Sequence, residues 1–112
     1  MMNRKRMENM NKQDKINAIK NLLNAPSTVE KYYELLENMG DLKTNYHTYA
    51  TTEPINCDKE LERIPSADYE LCTALLTMIL REDHFSNGSF KIRQEKGQVN
   101  AILKRMLETL SN

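Results

Sequence analysis

The sequence is poor in the residues that break structure: three glycines and three prolines in 112 residues, with no tryptophan. So small a supply excludes collagen-like and loop-dominated chains. No apolar run approaches the roughly 18 residues of a membrane span. Net charge is missing too, because 16 Lys and Arg balance 16 Asp and Glu. Disorder driven by composition wants a large net charge as well as low hydrophobicity, so the balance argues for a folded chain. Met1 to Met10 is polar and basic and lacks the apolar stretch of a secretory signal. There are two cysteines, Cys57 and Cys72, without C-x-x-C spacing. A chain with no leader is expected to keep both as reduced thiols, and Cys72 lies in an apolar helical stretch where it packs. What is left is a small soluble domain, expected in the cytoplasm, with a lean core: 39% apolar residues and a mean hydropathy of −0.71.

The neutral total hides an asymmetry. Residues 1–20 carry +4 and residues 91–112 carry +3, which leaves −7 for residues 21–90. Two readings fit. The basic ends complement the acidic middle, within one chain or across a dimer, or the N-terminal tail seeks nucleic acid.

Residues 1–10 read as a flexible basic tail and 11–112 as a single helical domain. Asn11 can cap a helix, with Asp14 near its positive end, and Ile16, Ile19, Leu22 and Leu23 follow at helical spacing. Pro26 disfavours helix at Ala25 and stops it. Ser27-Thr28-Val29-Glu30 has the form of a capping box, opening a helix over about 28–39 that Gly40 ends. Residues 41–57 read as an irregular, ordered loop packed by its tyrosines; Tyr46-His47-Thr48-Tyr49 is strand-like in composition but has no partner. A short helix over Asp58–Ile64 precedes Pro65, and Ser66 can cap the next one.

That next helix, about 67–82, is apolar nearly all round, with Glu70, Thr73, Thr77 and Arg81 as a narrow polar stripe. Such a helix is buried on several sides and forms the centre of the fold. Ser86-Asn87-Gly88-Ser89 is a turn, Phe90–Lys96 is ambiguous, and Gly97 opens a last helix whose inner face is Val99, Ile102, Leu103, Met106 and Leu110. The fold class is all-α: four to five helices around the central one. Met7, Met10, Met39, Met78 and Met106 are expected as core filler.

The stretch from Leu75 to Met106 carries a further pattern. An apolar helix ends in Leu76-Thr77, then come Arg81, Phe85 with Gly88, Gly97, and Leu103 with Arg105. In this it resembles an uncharacterised family of small bacterial proteins, a domain of unknown function. The resemblance is strongest over residues 75–106, fades back to about Val29, and leaves the first 25 residues outside. The family often has Arg where His84 stands. The resemblance implies a mostly helical domain and brings no activity.

The densest polar group is Arg81, Glu82, Asp83, His84, Asn87, Ser89 and Arg93, with Phe85 and Phe90 bracketing its turn. Arg81 and Arg93 are candidate forks for a carboxylate or phosphate, with Asp83, His84 and Asn87 completing a ligand site. An Asp83/His84 acid–base pair is a further step, unfavoured because adjacent residues rarely point the same way. The structural alternative is that Arg81 and His84 suit a helix C-terminus, Asp83 pairs with a neighbouring Arg, and Asn87-Gly88 turns the chain. His47, His84 and Cys57 lack metal-ligand spacing, and no phosphate loop or nucleophile elbow is present, so neither cofactor nor metal is expected. The first two helices are closely joined, but the second is acidic on its outer face (Glu30, Glu34, Glu37), which phosphate would repel. Only the tail and the Lys104/Arg105 face remain for nucleic acid.

The expectation is therefore a non-enzymatic domain acting through protein–protein contact, self-association included, with Tyr32, Tyr33, Tyr46, Tyr49 and the last helix as contacts. The alternatives are a ligand- or anion-binding module at 81–93, and non-specific nucleic-acid binding through the tail.

Overall fold

A computed structural model describes residues 10–111. The basic tail read at residues 1–10 lies outside the described residues except for Met10, which packs against the core; Met7 lies outside as well. Among the described residues there are six α-helices and no strand: α1 (Lys12–Asn24), α2 (Val29–Met39), α3 (Cys57–Glu60), α4 (Tyr69–Phe85), α5 (Ser89–Glu95) and α6 (Gln98–Ser111). Two 3₁₀ turns, Tyr46–Tyr49 and Leu61–Ser66, complete the order. The class is all-α, as the periodicities imply. The helix count exceeds four to five because the ambiguous Phe90–Lys96 stretch folds as α5; the helix read at 58–64 is the shorter α3 followed by a 3₁₀ turn.

Most helix ends follow local chemistry. Asn11 closes a capping box on α1: its side chain accepts from the Asp14 amide at 2.8 Å, and its own amide donates to Asp14 at 3.4 Å. Gly40 ends α2 at φ +74°, the left-handed region glycine enters without steric cost. Two starts differ from the sequence reading. Thr28, not Ser27, precedes α2, and no side chain caps it. Asp68, not Ser66, caps α4, accepting from Leu71 N at 2.8 Å, because the 3₁₀ turn carries the chain through Pro65 and Ser66 first.

α4 is the centre. It packs against α2, α3, α5, α6 and the Tyr46–Tyr49 turn. Cys72 through Leu80 are all buried, so Thr73 and Thr77 lie inside rather than on a polar stripe. Their hydroxyls donate to the carbonyls of Glu70 and Thr73, both at 2.8 Å, which removes the cost of burying them. α1 covers α6 and α2. Met39, Met78 and Met106 fill the core, and both cysteines are buried free thiols. Tyr32 is fully buried and meets Phe90 at 5.0 Å between ring centroids, a tilted pair worth about 1 kcal/mol beyond its area. Tyr32 is thus a core residue and not a contact for a partner; Tyr33, Tyr46 and Tyr49 are half-buried and pack on the same core.

Polar ties join distant segments. The Tyr69 hydroxyl donates to Asp41, which also takes Lys15 Nζ at 3.0 Å, so α1, the loop after α2 and α4 meet on one carboxylate. Arg105 Nε donates to Ala67 O at 2.8 Å and its guanidinium pairs with Glu108, which draws it away from a free basic face on α6. No described helix is long and apolar enough to cross a membrane.

Candidate functional site

The α4–α5 corner is built by one carboxylate and one glycine. α4 stops at Phe85, and Gly88 takes φ +93° to reverse the chain. Asp83 Oδ1 accepts from Gly88 N at 3.1 Å and Phe90 N at 3.0 Å, so the end of α4 caps the start of α5. α5 then turns two side chains inward. Phe90 meets Tyr32. Arg93 makes a two-pronged contact with Glu82 (2.7 and 2.9 Å), and its third nitrogen donates to Asp58 at 2.9 Å and Gln98 at 3.0 Å. One guanidinium thereby joins α3, α4, α5 and the first residue of α6. The Glu82 hydrogen bonds raise its pKa further above an already high value, against the opposing effect of burial.

The five residues expected to form one ligand site lie in three places. Asp83, His84 and Asn87 line an open cleft of about 710 Å³ between this corner and the first turn of α2. Arg81 lies on another side, at the rim of a pocket of about 250 Å³. Arg93 lines neither and is 8% exposed. A fork of Arg81 and Arg93 on one anion is therefore not the arrangement found: Arg93 already holds two carboxylates. Nor does Asp83 pair with His84, since its oxygen serves two backbone amides, and the His84 ring meets the Phe85 ring edge-on at 5.2 Å.

The cleft has partners that sequence spacing did not bring forward. Its far wall is Ser27–Glu30 and Tyr33, its near wall includes Lys91, and Leu80 and Phe90 give it an apolar floor. Gln94 closes one end, donating to Ser27 O at 2.9 Å and the Tyr32 hydroxyl at 3.2 Å. One basic side chain (Lys91), an imidazole (His84) and two acidic side chains (Glu30, Asp83) share it, so it suits a mixed polar ligand more than a simple anion.

The smaller pocket is different in kind. Tyr46, Ile55, Cys57 and Met78 wall it, and Phe85 stands at its edge. Cys57 is held as a neutral thiol: burial and then the Glu82 carboxylate push its pKa up to about 12. Burial does the same to Cys72, also to about 12. A thiolate nucleophile needs the opposite environment, a cationic and accessible one. Among the described residues no group of three His, Cys, Asp or Glu side chains converges as metal ligands would.

Phe85 is the residue that sequence reasoning placed least well. It is 79% exposed, and Ile92 on α5 is 53% exposed. They are the large hydrophobic side chains left in solvent among the described residues. A sequence signal was present: Phe85 continues the i+4 series of Thr73, Thr77 and Arg81 that the sequence marks as the polar stripe.

Residues 3–112 match the model of the Family of unknown function (DUF6508), and the chain belongs to that family. The family likeness thus extends through the first 25 residues, which the 75–106 pattern had left outside. No curated protein and no solved structure matches the chain.

Proposed function

We propose that this member of DUF6508 acts by binding another protein through the α4–α5 corner, without catalysing a reaction. The observation that carries the reading is Phe85, 79% exposed at the end of a helix whose middle is buried on all sides. Single exposed hydrophobics are ordinary, but this ring stands beside an apolar pocket, with Ile92 on the following helix. Covering a phenylalanine is worth about 1.5–3 kcal/mol, and aromatic anchors dominate protein interfaces. The titratable groups support the same reading. Glu60, Tyr69 and Arg93 are strongly shifted, and each is engaged by internal hydrogen bonds that hold the fold together. Catalytic groups are shifted while facing a cleft where a reactant fits. The two buried thiols suit a reducing compartment, and we place the protein in the cytoplasm on that ground.

The experiment is affinity purification of the tagged full chain, as wild type, as Phe85→Asp, and as His84→Ala/Lys91→Ala. Phe85 and His84 are exposed, so neither change is expected to unfold the protein, and circular dichroism checks this. Co-purifying proteins lost with Phe85→Asp and kept with the cleft variant are the expected result. Proteins kept by Phe85→Asp refute the reading.

The cleft supports a second reading, a binding module for a small polar ligand held by Asp83, His84, Asn87 and Lys91. Its volume of about 710 Å³ falls within the range of ligand pockets. Thermal shifts with a panel of zwitterionic amino acids, abolished in His84→Ala/Lys91→Ala, would establish it.

A further inference from the structure

We infer that the protein that docks at the corner is a second copy of this chain, each Phe85 ring entering the other copy's pocket. This rests on the protein-contact reading above and names its partner.

A two-fold axis brings the same patch of two subunits together, so that residue i meets j and j meets i. A patch that pairs with itself must therefore hold both a projection and a receptacle. This corner holds both, side by side. The projection is Phe85. The receptacle is the pocket of about 250 Å³ walled by Tyr46, Ile55, Cys57 and Met78. An apolar cavity of about 150 Å³ accommodates a benzene ring, so the space is sufficient for a phenyl side chain. Two of its wall residues carry sulfur, which makes favourable contacts at an aromatic edge.

The charges on the rim agree. Arg81 and Phe85 are four residues apart, on one face of α4, so whatever meets the ring also meets the guanidinium. Arg81 is exposed and has no ion pair among the described residues. Beside it, Glu82 and Asp58 share a single Arg93, which leaves that cluster with one net negative charge. The C-terminal pole of α4 is negative as well. Two copies meeting through the ends of α4 would bring two negative poles together. An Arg81 from each side, set against the other's Glu82 and helix end, removes that repulsion. The rim therefore complements its own copy in charge as well as in shape.

Light scattering on the eluting full chain, across the micromolar range, tests this with two variants. Phe85→Ala removes the ring, which also edges the pocket, and leaves the Tyr46, Ile55, Cys57 and Met78 walls in place. Ser86→Trp, at an exposed residue of the pocket wall, fills the pocket and keeps the ring. The wild type is expected to form a dimer, and each variant alone to raise the dimer Kd about tenfold or more, with unchanged circular dichroism. Mixed, one variant supplies a ring and the other a pocket, so the two associate more tightly than either does alone. A wild type that stays monomeric throughout overturns self-association, and a dimer that survives Phe85→Ala, or a mixture no tighter than its components, overturns the ring-in-pocket exchange. The corner itself fails as a docking site, whatever the light scattering gives, if Phe85→Asp keeps the co-purifying proteins.

Discussion

Replacing Glu60 with Gln gives a sharp test of how the wall of the small pocket is held. Glu60 is fully buried, yet it is a carboxylate. Five donors converge on it: the amides of Thr51 and Thr52 at 2.9 and 2.8 Å, both threonine hydroxyls, and Arg63 Nη1 at 2.8 Å. Burial pushes its pKa up. The hydrogen bonds from Thr52 and Arg63, and from the backbone of both threonines, more than reverse this and hold it down to about 2. The whole segment from Thr51 to Asn56 is anchored this way, and Ile55 of that segment walls the pocket.

Against an ordinary value of 4.5, a folded pKa near 2 makes the ionised carboxylate worth about 3 kcal/mol to the fold at neutral pH. The folded pKa is depressed, so this stability is fully present above about pH 4.5 and is lost as pH falls toward 2. Gln can turn its oxygen to the two amides, and the Thr51 hydroxyl can rotate, but the new NH₂ then faces Arg63, which has nothing to accept with. Glu60→Gln is therefore expected to cost about 3 kcal/mol at pH 7, lowering Tm by roughly 10–25 °C for a domain of this size. Urea unfolding followed by circular dichroism, on both proteins from pH 7 to pH 3, checks it. The gap between them should shrink to about 1 kcal/mol at pH 3. A gap under about 0.5 kcal/mol at pH 7, or one that does not change with pH, refutes the reasoning.

Arg93→Lys keeps the charge but cannot make the two-pronged contact with Glu82 while reaching Asp58 and Gln98, and is expected to cost about 2–4 kcal/mol in the same urea assay. A loss below about 0.5 kcal/mol would mean that the four-helix junction is held by packing alone. Cys72, fully buried with a pKa raised to about 12, should react with a disulfide reagent at pH 8 only as fast as the protein opens, and urea should release it along with the global transition. Immediate reaction of Cys72 in the native protein would contradict that burial.

The fold was legible wherever one segment decides its own structure. Asn11 and Asp14 close a capping box, and Gly40 and Gly88 turn where they stand, because these effects reach only three or four residues. Ser27-x-x-Glu30 has the same local signature and does not form the box. Its residues answer to distant ones instead: the Ser27 carbonyl is held by Gln94, and its amide donates to the Tyr32 hydroxyl at 3.4 Å. Thr73 and Thr77 misled for another reason. A hydroxyl that returns its hydrogen bond to its own helix behaves as a small core residue, although composition counts it as polar.

The site was less legible because a polar cluster in a sequence does not show which of its members are already paired. Arg93 looks free within residues 81–93, but Glu82 of the same stretch takes it in a two-pronged contact and Asp58, 35 positions away, takes its third nitrogen. Asp83 looks like a partner for His84, but the turn it precedes presents two amides that claim it. Removing the groups engaged by the fold leaves Arg81, His84, Asn87 and Lys91, on two sides of one corner, with Phe85 between solvent and an apolar pocket. The hydrophobic residue is the informative one. A surplus charge at a helix end can simply be solvated, whereas an exposed ring loses free energy until something covers it. On that asymmetry the proposed binding surface centres on Phe85 rather than on Arg81 and Arg93.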